Sequence, residues 1–134
     1  MSNKEEIGKI LKEYKTIAVV GLSPKEGRPS HQVAKYLKSR GYKIIPVNPN
    51  ATEIFGKKCY PDLKSIPERI DIVDIFRRSE DVPPIVDEAI AIGIRVVWMQ
   101  EGIINDEAAE RARKAGLEVV MDRCILKEHM RLMR

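Results

Sequence analysis

Thr16-Ile17-Ala18-Val19-Val20-Gly21, followed by Leu22-Ser23-Pro24-Lys25-Glu26-Gly27-Arg28-Pro29-Ser30, decides the fold of this chain. The opening residues are β-branched or apolar with no polar alternation. A strand buried on both faces has that pattern, and such strands belong to the interior of parallel sheets. A glycine ends the run and a polar turn follows. Pro29 suits the first turn of a helix, where its missing N–H costs nothing. Val33, Ala34 and Leu37, with Tyr36 beside them, supply the inner face of that helix, and Gly41 stops it.

The same unit repeats outward from this stretch. Ahead of it, Ile7, Ile10, Leu11 and Tyr14 recur at helical spacing. Behind it, Tyr42 to Val47 reads as a second strand closed by Asn48-Pro49-Asn50. Pro46 is awkward in a central strand and is expected near the strand end or at a bulge. A loop-rich stretch with a short helix is expected through Pro67. Ile70 to Phe76 marks a third strand, and Pro83 and Pro84 start a helix carrying Ile85, Val86, Ala89 and Ile90. Arg95 to Met99 is a fourth strand. Asn105 or Asp106 caps the helix that runs to Ala115, and Gly116 ends it. Leu117 to Met121 is a fifth strand, and Ile125, Leu126, His129, Met130 and Met133 outline a last helix. Unbroken alternation of strand and helix predicts an α/β, Rossmann-like, doubly wound parallel sheet of five strands with helices on both faces. Handedness rules make 3-2-1-4-5 the expected strand order. With no linker, repeat or low-complexity segment, residues 1–134 read as a single nucleotide-binding domain.

Composition narrows the partners. The 134 residues are 43% hydrophobic and 33% charged, which is a globular balance. No apolar run approaches the ~20 residues of a membrane span, and the N-terminus has no signal-peptide block, so a cytoplasmic protein without a membrane partner is expected. The net charge of +4 suits an anionic ligand. Lys and Arg are interleaved with Glu and Asp rather than gathered, and aromatics are only 5%, so no nucleic-acid partner is expected. Cys59 and Cys124 lack metal-ligand spacing and read as plain thiols. A homodimer is expected from the small size and the amphipathic terminal helices.

Ligands of open α/β sheets bind beyond the carboxyl ends of the strands. In the first loop, Gly21 turns tightly, Ser23 and Ser30 offer hydroxyls, and Lys25 and Arg28 flank Pro24 with positive charge. With the free N–H groups of the next helix, these make a site for a pyrophosphate. The loop is not a dinucleotide fingerprint: Ser23 and Glu26 stand where glycines are wanted, and Asn48-Pro49-Asn50 replaces the ribose-binding acid. There is no Gly-Lys-Ser/Thr terminus for a P-loop and no acidic pair for a receiver domain. The third loop brings Phe76, Arg77 and Arg78, of which one arginine is expected to pair with Glu80 or Asp81. The fourth brings Met99, Gln100, Glu101 and Gly102, with Trp98 expected in the core. His31 could donate to an anion, His129 reads as a packed residue, and Cys124 reads as half-buried or, less often, as a wall of the cleft. No catalytic constellation and no metal cluster is recognisable.

Val20-Gly21-Leu22-Ser23, Arg28-Pro29-Ser30, Gly41-Tyr42, Pro46-Val47-Asn48-Pro49, Asp74-Ile75-Phe76-Arg77 and Val97-Trp98-Met99-Gln100-Glu101-Gly102 together resemble the small stand-alone CoA-binding protein family. Ala108-Ala109, Gly116-Leu117 and Val120-Met121-Asp122-Arg123-Cys124 continue the likeness, which covers the chain from about Tyr14 onward. That family is similar in fold to the CoA-binding domain of succinyl-CoA ligase α subunits and of NDP-forming acyl-CoA synthetases. The resemblance implies that Gly21, Ser23, Arg28 and Ser30 hold phosphates and that Asn48 and Pro49 lie by the adenosine. It implies that Phe76 and Arg77 flank the nucleotide and that Met99 to Gly102 face the pantetheine. The expected ligand is coenzyme A or acyl-CoA, bound by a carrier, sensor or accessory module without catalysis of its own. The alternatives are an NADP-type enzyme, in which Arg77 or Arg78 meets a 2′-phosphate, and a ligase subunit needing a separate partner chain. The ligases carry a phosphorylated histidine in a second domain, onto which neither His31 nor His129 maps.

Overall fold

The computed structural model describes residues 3–133. The chain runs α1 (Lys4–Glu13), β1 (Thr16–Val20), α2 (Pro29–Ser39), β2 (Lys43–Val47), β3 (Glu53–Ile54), β4 (Lys57–Lys58), β5 (Ile72–Ile75), α3 (Val82–Ile92), β6 (Val96–Met99), α4 (Asp106–Lys114), β7 (Glu118–Val120) and α5 (Ile125–Leu132). A short 3-10 turn, Ser79–Asp81, precedes α3. The main sheet is five-stranded and parallel, and β3 and β4 form a separate antiparallel ribbon. No helix among the described residues is long and apolar enough to cross a membrane.

The fold class is the expected Rossmann-like, doubly wound one, but its strand order is corrected. The order is β2-β1-β5-β6-β7, which is 2-1-3-4-5 when the five main strands are counted along the chain, not 3-2-1-4-5. The place beside β2 is already taken. Tyr60 bridges Val47 in parallel, its N–H donates to the Pro46 carbonyl at 3.0 Å, and Asn48 donates to the Tyr60 carbonyl at 2.9 Å. The third main strand, β5, therefore pairs on the other side of β1. This also accommodates Pro46. Its carbonyl points to the outer edge of β2, so its absent N–H lies on that edge too and no ladder bond to β1 is lost. The segment after Asn50, expected to hold a short helix, holds the ribbon instead: no helix lies between α2 and the turn at Ser79.

Two apolar layers sandwich the sheet. Ile17, Val19, Ile72, Val96 and Trp98 face α1, α2 and α5, while Ala18, Val73, Ile75, Val97 and Met99 face α3 and α4. This alternation is the period-2 geometry of strands buried on both sides. Burying each large aliphatic side chain contributes about 1.5–3 kcal/mol. α1 and α4 are capped by asparagines: the Asn3 side chain accepts from the Glu6 N–H in a capping box, and the Asn105 side chain accepts from the Ala108 N–H.

Two positions in the sheet are exceptional. Gly21 has φ +88°, and a Cβ added there would lie 2.3 Å from the carbonyl oxygen of Phe76. Asp74, in register between Val19 and Trp98, is fully buried, and neither carboxylate oxygen has a hydrogen-bond partner among the described residues. Desolvation holds its pKa well above the ordinary carboxylate range, so the group is neutral where most carboxylates are charged.

Gly21→Ala combines a forbidden φ with a clash against backbone, and urea denaturation is expected to show a loss of about 2 kcal/mol or more. Gly8→Ala, in α1 with open space around the new methyl, is expected to gain about 0.5–1 kcal/mol from helix propensity. For Asp74 the native pKa lies above the unfolded one, so above about pH 3.9 the unfolded chain releases a proton that the native one keeps. Its stabilising share is therefore complete below that pH and falls, by about 1.4 kcal/mol per pH unit, until the raised native pKa is passed. As the pH is raised from 4, stability should shift progressively in favour of Asp74→Asn; parallel pH profiles for variant and wild type would contradict the assignment.

Candidate ligand-binding site

With β5 beside β1, the strand order reverses between these two strands, and their carboxyl ends open the crevice where α/β sheets bind ligands. The two loops that leave them touch. Phe76 donates its N–H to the Val20 carbonyl at 2.8 Å, and Gly21 donates to Val47 at 2.9 Å, so backbone bonds fix the loop origins on both sides of β1.

The first loop is held largely by its own hydroxyls. Ser23 donates its N–H to Ser30 Oγ at 3.0 Å, and Lys25 donates its N–H to Ser23 Oγ at 3.1 Å. Ser30 is buried and Ser23 half-buried, whereas Pro24, Lys25 and Arg28 are exposed. Neither cationic side chain has an ion pair within the described residues. Arg28 is the N-cap of α2 but supplies no side-chain acceptor, and Pro29 occupies the first turn as expected. Unlike α1 and α4, then, α2 opens on the crevice without a side-chain cap from its N-cap residue.

Two expected ligand groups are committed to the protein. The carbonyl of Ser23 only accepts, so His31 Nδ1, 2.9 Å away, carries the proton and donates to it. His31 thus fixes the loop rather than offering that N–H to an anion. Asn48 donates Nδ2–H to the Leu22 carbonyl at 3.0 Å and accepts from the Asn50 N–H at 2.8 Å, which ties the second loop to the first and leaves Pro49 exposed beside them.

Between the N-terminal turns of α2 and α5 lies a cleft of about 410 Å³, walled by Pro29, Val33, Phe76, Gln100, Cys124 and Leu126 together with Gln32, Glu101, Ile103 and Lys127. Gln100 is buried and accepts the Ile125 N–H at 3.1 Å, doing for α5 what its N-cap residue, Cys124, does not. Glu101 accepts from Lys127 at 2.9 Å, and Gly102 donates its N–H to Asp122 Oδ1 at 2.7 Å. Half-buried Cys124 stands on the cleft wall. Arg77 is half-buried with no ion pair or hydrogen bond among the described residues. Arg78 is the arginine taken by neighbours: Asp81 at 3.1 Å and Glu80 at 3.8 Å, with the Asp81 hydrogen bond the main cause of its raised pKa.

Met99 is a correction. It is fully buried against the α3 and α4 layer, because strand alternation turns it away from the face on which the cleft lies. Trp98 is in the core as expected, its indole N–H donating to the Arg123 carbonyl at 2.8 Å. His129 is packed, bonded through Nδ1 to the Tyr36 hydroxyl at 2.7 Å; burial, then Arg40 and Lys15, lowers its pKa. Cys59 is buried and its thiol pKa is pushed up by that burial. Of the residues lining this cleft, the sequence reading gave no ligand role to Pro29, Gln32, Val33, Ile103, Leu126 and Lys127. The signal was available for Leu126 and Lys127, since a helix following β7 must begin at the same edge of the sheet as α2.

The match to known proteins runs through the whole of this geometry. Residues 15–130, from the approach to β1 through most of α5, fit the family model described as a CoA binding domain. The uncharacterized protein YneT of Bacillus subtilis (strain 168) is 45% identical over 127 residues, covering 95% of this chain and 94% of its own. The solved structure of a hypothetical protein from Pyrococcus horikoshii OT3 superposes with a TM-score of 0.96 at 44% identity, over 99% of this chain and 94% of that one. Acetate–CoA ligase [ADP-forming] II of Archaeoglobus fulgidus is 39% identical over 100 residues, which is 73% of this chain but only 15% of the ligase. A family match that spans both crevice loops and the start of α5 leaves one assignment: the chain belongs to the CoA-binding domain family.

Proposed function

We propose that residues 1–134 act as one domain that binds coenzyme A, free or acylated, across the carboxyl ends of β1 and β5, as a carrier, sensor or accessory module without catalysis of its own. The observation that carries this reading is the pairing of unlike halves in one crevice. An uncapped helix start, with Lys25, Arg28 and Arg77 unpaired in the loops that lead to Pro29 and follow Phe76, adjoins a largely apolar cleft walled by those two residues. Coenzyme A has the same two halves, a charged nucleotide pyrophosphate and a long thin pantetheine arm.

In this placement the pyrophosphate sits at Gly21, Ser23 and the N-terminus of α2, with Arg28 and Lys25 neutralising it. The adenosine lies beside Pro49, and Phe76 and Arg77 flank the nucleotide. The pantetheine arm enters between α2 and α5, past Gln100, Glu101 and Gly102 toward Cys124. The ligases that share this domain, named for joining acetate to CoA, are consistent with the choice of ligand. They also motivate a second reading, in which a separate partner chain completes a ligase around this domain.

Calorimetric titration with CoA, dephospho-CoA and NADP tests the ligand class. CoA is expected to bind best, and Arg28→Ala and Arg77→Ala each to weaken it about tenfold, as loss of a charge-assisted contact does. Tight NADP binding without a CoA response would contradict the proposal. Wild-type affinity in both variants would move the site elsewhere.

A further inference from the structure

The ribbon between β2 and β5 closes through Phe55 and Gly56, with Ile54 paired to Lys57. Both turn residues have positive φ, +58° at Phe55 and +69° at Gly56. Glycine suits that conformation, whereas a bulky aromatic seldom takes it. A residue held there against its own preference needs outside support, and such positions concentrate at functional sites.

The support comes from α2. The Phe55 ring packs on the His31 ring with centroids 4.6 Å apart, and the Lys38 ammonium lies 5.3 Å from its centroid. His31, buried under this contact, donates from Nδ1 to the Ser23 carbonyl. Ser23 in turn carries two bonds of the first loop, one through its N–H to Ser30 and one through its hydroxyl from Lys25. At its other end the ribbon is tied to the same loop, since Cys59 donates its N–H to Thr52 and its thiol to the Asn48 carbonyl, and Asn48 holds Leu22.

From this chain of contacts we infer that Phe55 is a positioning residue for the anion-binding loop: acting through His31, it sets the conformation of residues 22–28, which makes the β3–β4 ribbon part of the binding site without a ligand contact of its own. The inference rests on the proposed placement of the pyrophosphate, and it gives the ribbon a role that the family match does not.

Phe55→Gly supplies the residue that the backbone prefers and removes only the ring; Phe55→Tyr keeps the ring. In the ligand-free protein, amide exchange at Ser23, Lys25 and Arg28 is expected to accelerate about tenfold in Phe55→Gly while amides of β1 and β5 keep their protection, the pattern of local rather than global opening. CoA affinity is expected to fall about fivefold in Phe55→Gly, a coupling of ordinary size for contacting residues. Phe55→Tyr should hold wild-type values in both measurements. Unchanged exchange at the three amides, or acceleration spread evenly over the sheet, would overturn the inference. Failure of the wild type to bind CoA would instead overturn the proposed function, because the exchange comparison uses no ligand.

Discussion

The structure depends on one close approach, that of Gly21 to the Phe76 carbonyl. β1 and β5 are adjacent, run the same way and send their chains to opposite sides, so the loops leaving them must part at the point where the strands end. They can begin that near to each other only because position 21 has no Cβ: one placed there would lie 2.3 Å from the Phe76 oxygen. The positive φ of Gly21 then turns the first loop toward the start of α2, while Phe76 and Arg77 continue along the opposite wall. Crevice, loop direction and helix start follow from that single missing methyl.

A second constraint acts at the edge of the sheet. β2 is an edge strand whose outer side, at its carboxyl end, is bonded by Tyr60 through the Pro46 carbonyl and the Asn48 N–H. The third main strand pairs on the other side of β1, which is where the crevice opens. Charge is arranged to match. Arg78 is paired with its neighbours and Glu101 with Lys127, whereas Lys25, Arg28 and Arg77 have no ion pair among the described residues.

Much of this was legible in the sequence, and the exceptions have physical causes. The apolar run into Gly21, with Pro29 eight residues on, specified strand, turn and helix start because each is a local backbone preference. Pro46 carried the strand order as well: a residue without an N–H fits an edge strand, and β2 is central in the expected 3-2-1-4-5 arrangement but an edge in the observed one. The ribbon escaped because two-residue strands have no period to read, and because Phe55 stands where a turn rule would ask for glycine or asparagine. The resemblance put Met99 with Gln100 to Gly102 on the pantetheine side, although alternation along β6 assigns its side chain to the other face. That Arg78 and not Arg77 finds acidic partners depends on the 3-10 turn at Ser79–Asp81, whose geometry composition does not reveal. The solitude of Asp74 is a tertiary fact too, since it requires every neighbour across three strands to be apolar.

The central claim is that a charged ligand end lies at the start of α2 and its arm between α2 and α5. Backbone amide shifts, followed by NMR as CoA is added, test this most directly. The account predicts the largest changes at Ser23 to His31, at Phe76 and Arg77, and at Cys124 to Leu126. Changes confined instead to the outer groove of β2, around Lys43, Lys57 and Lys58, would contradict it.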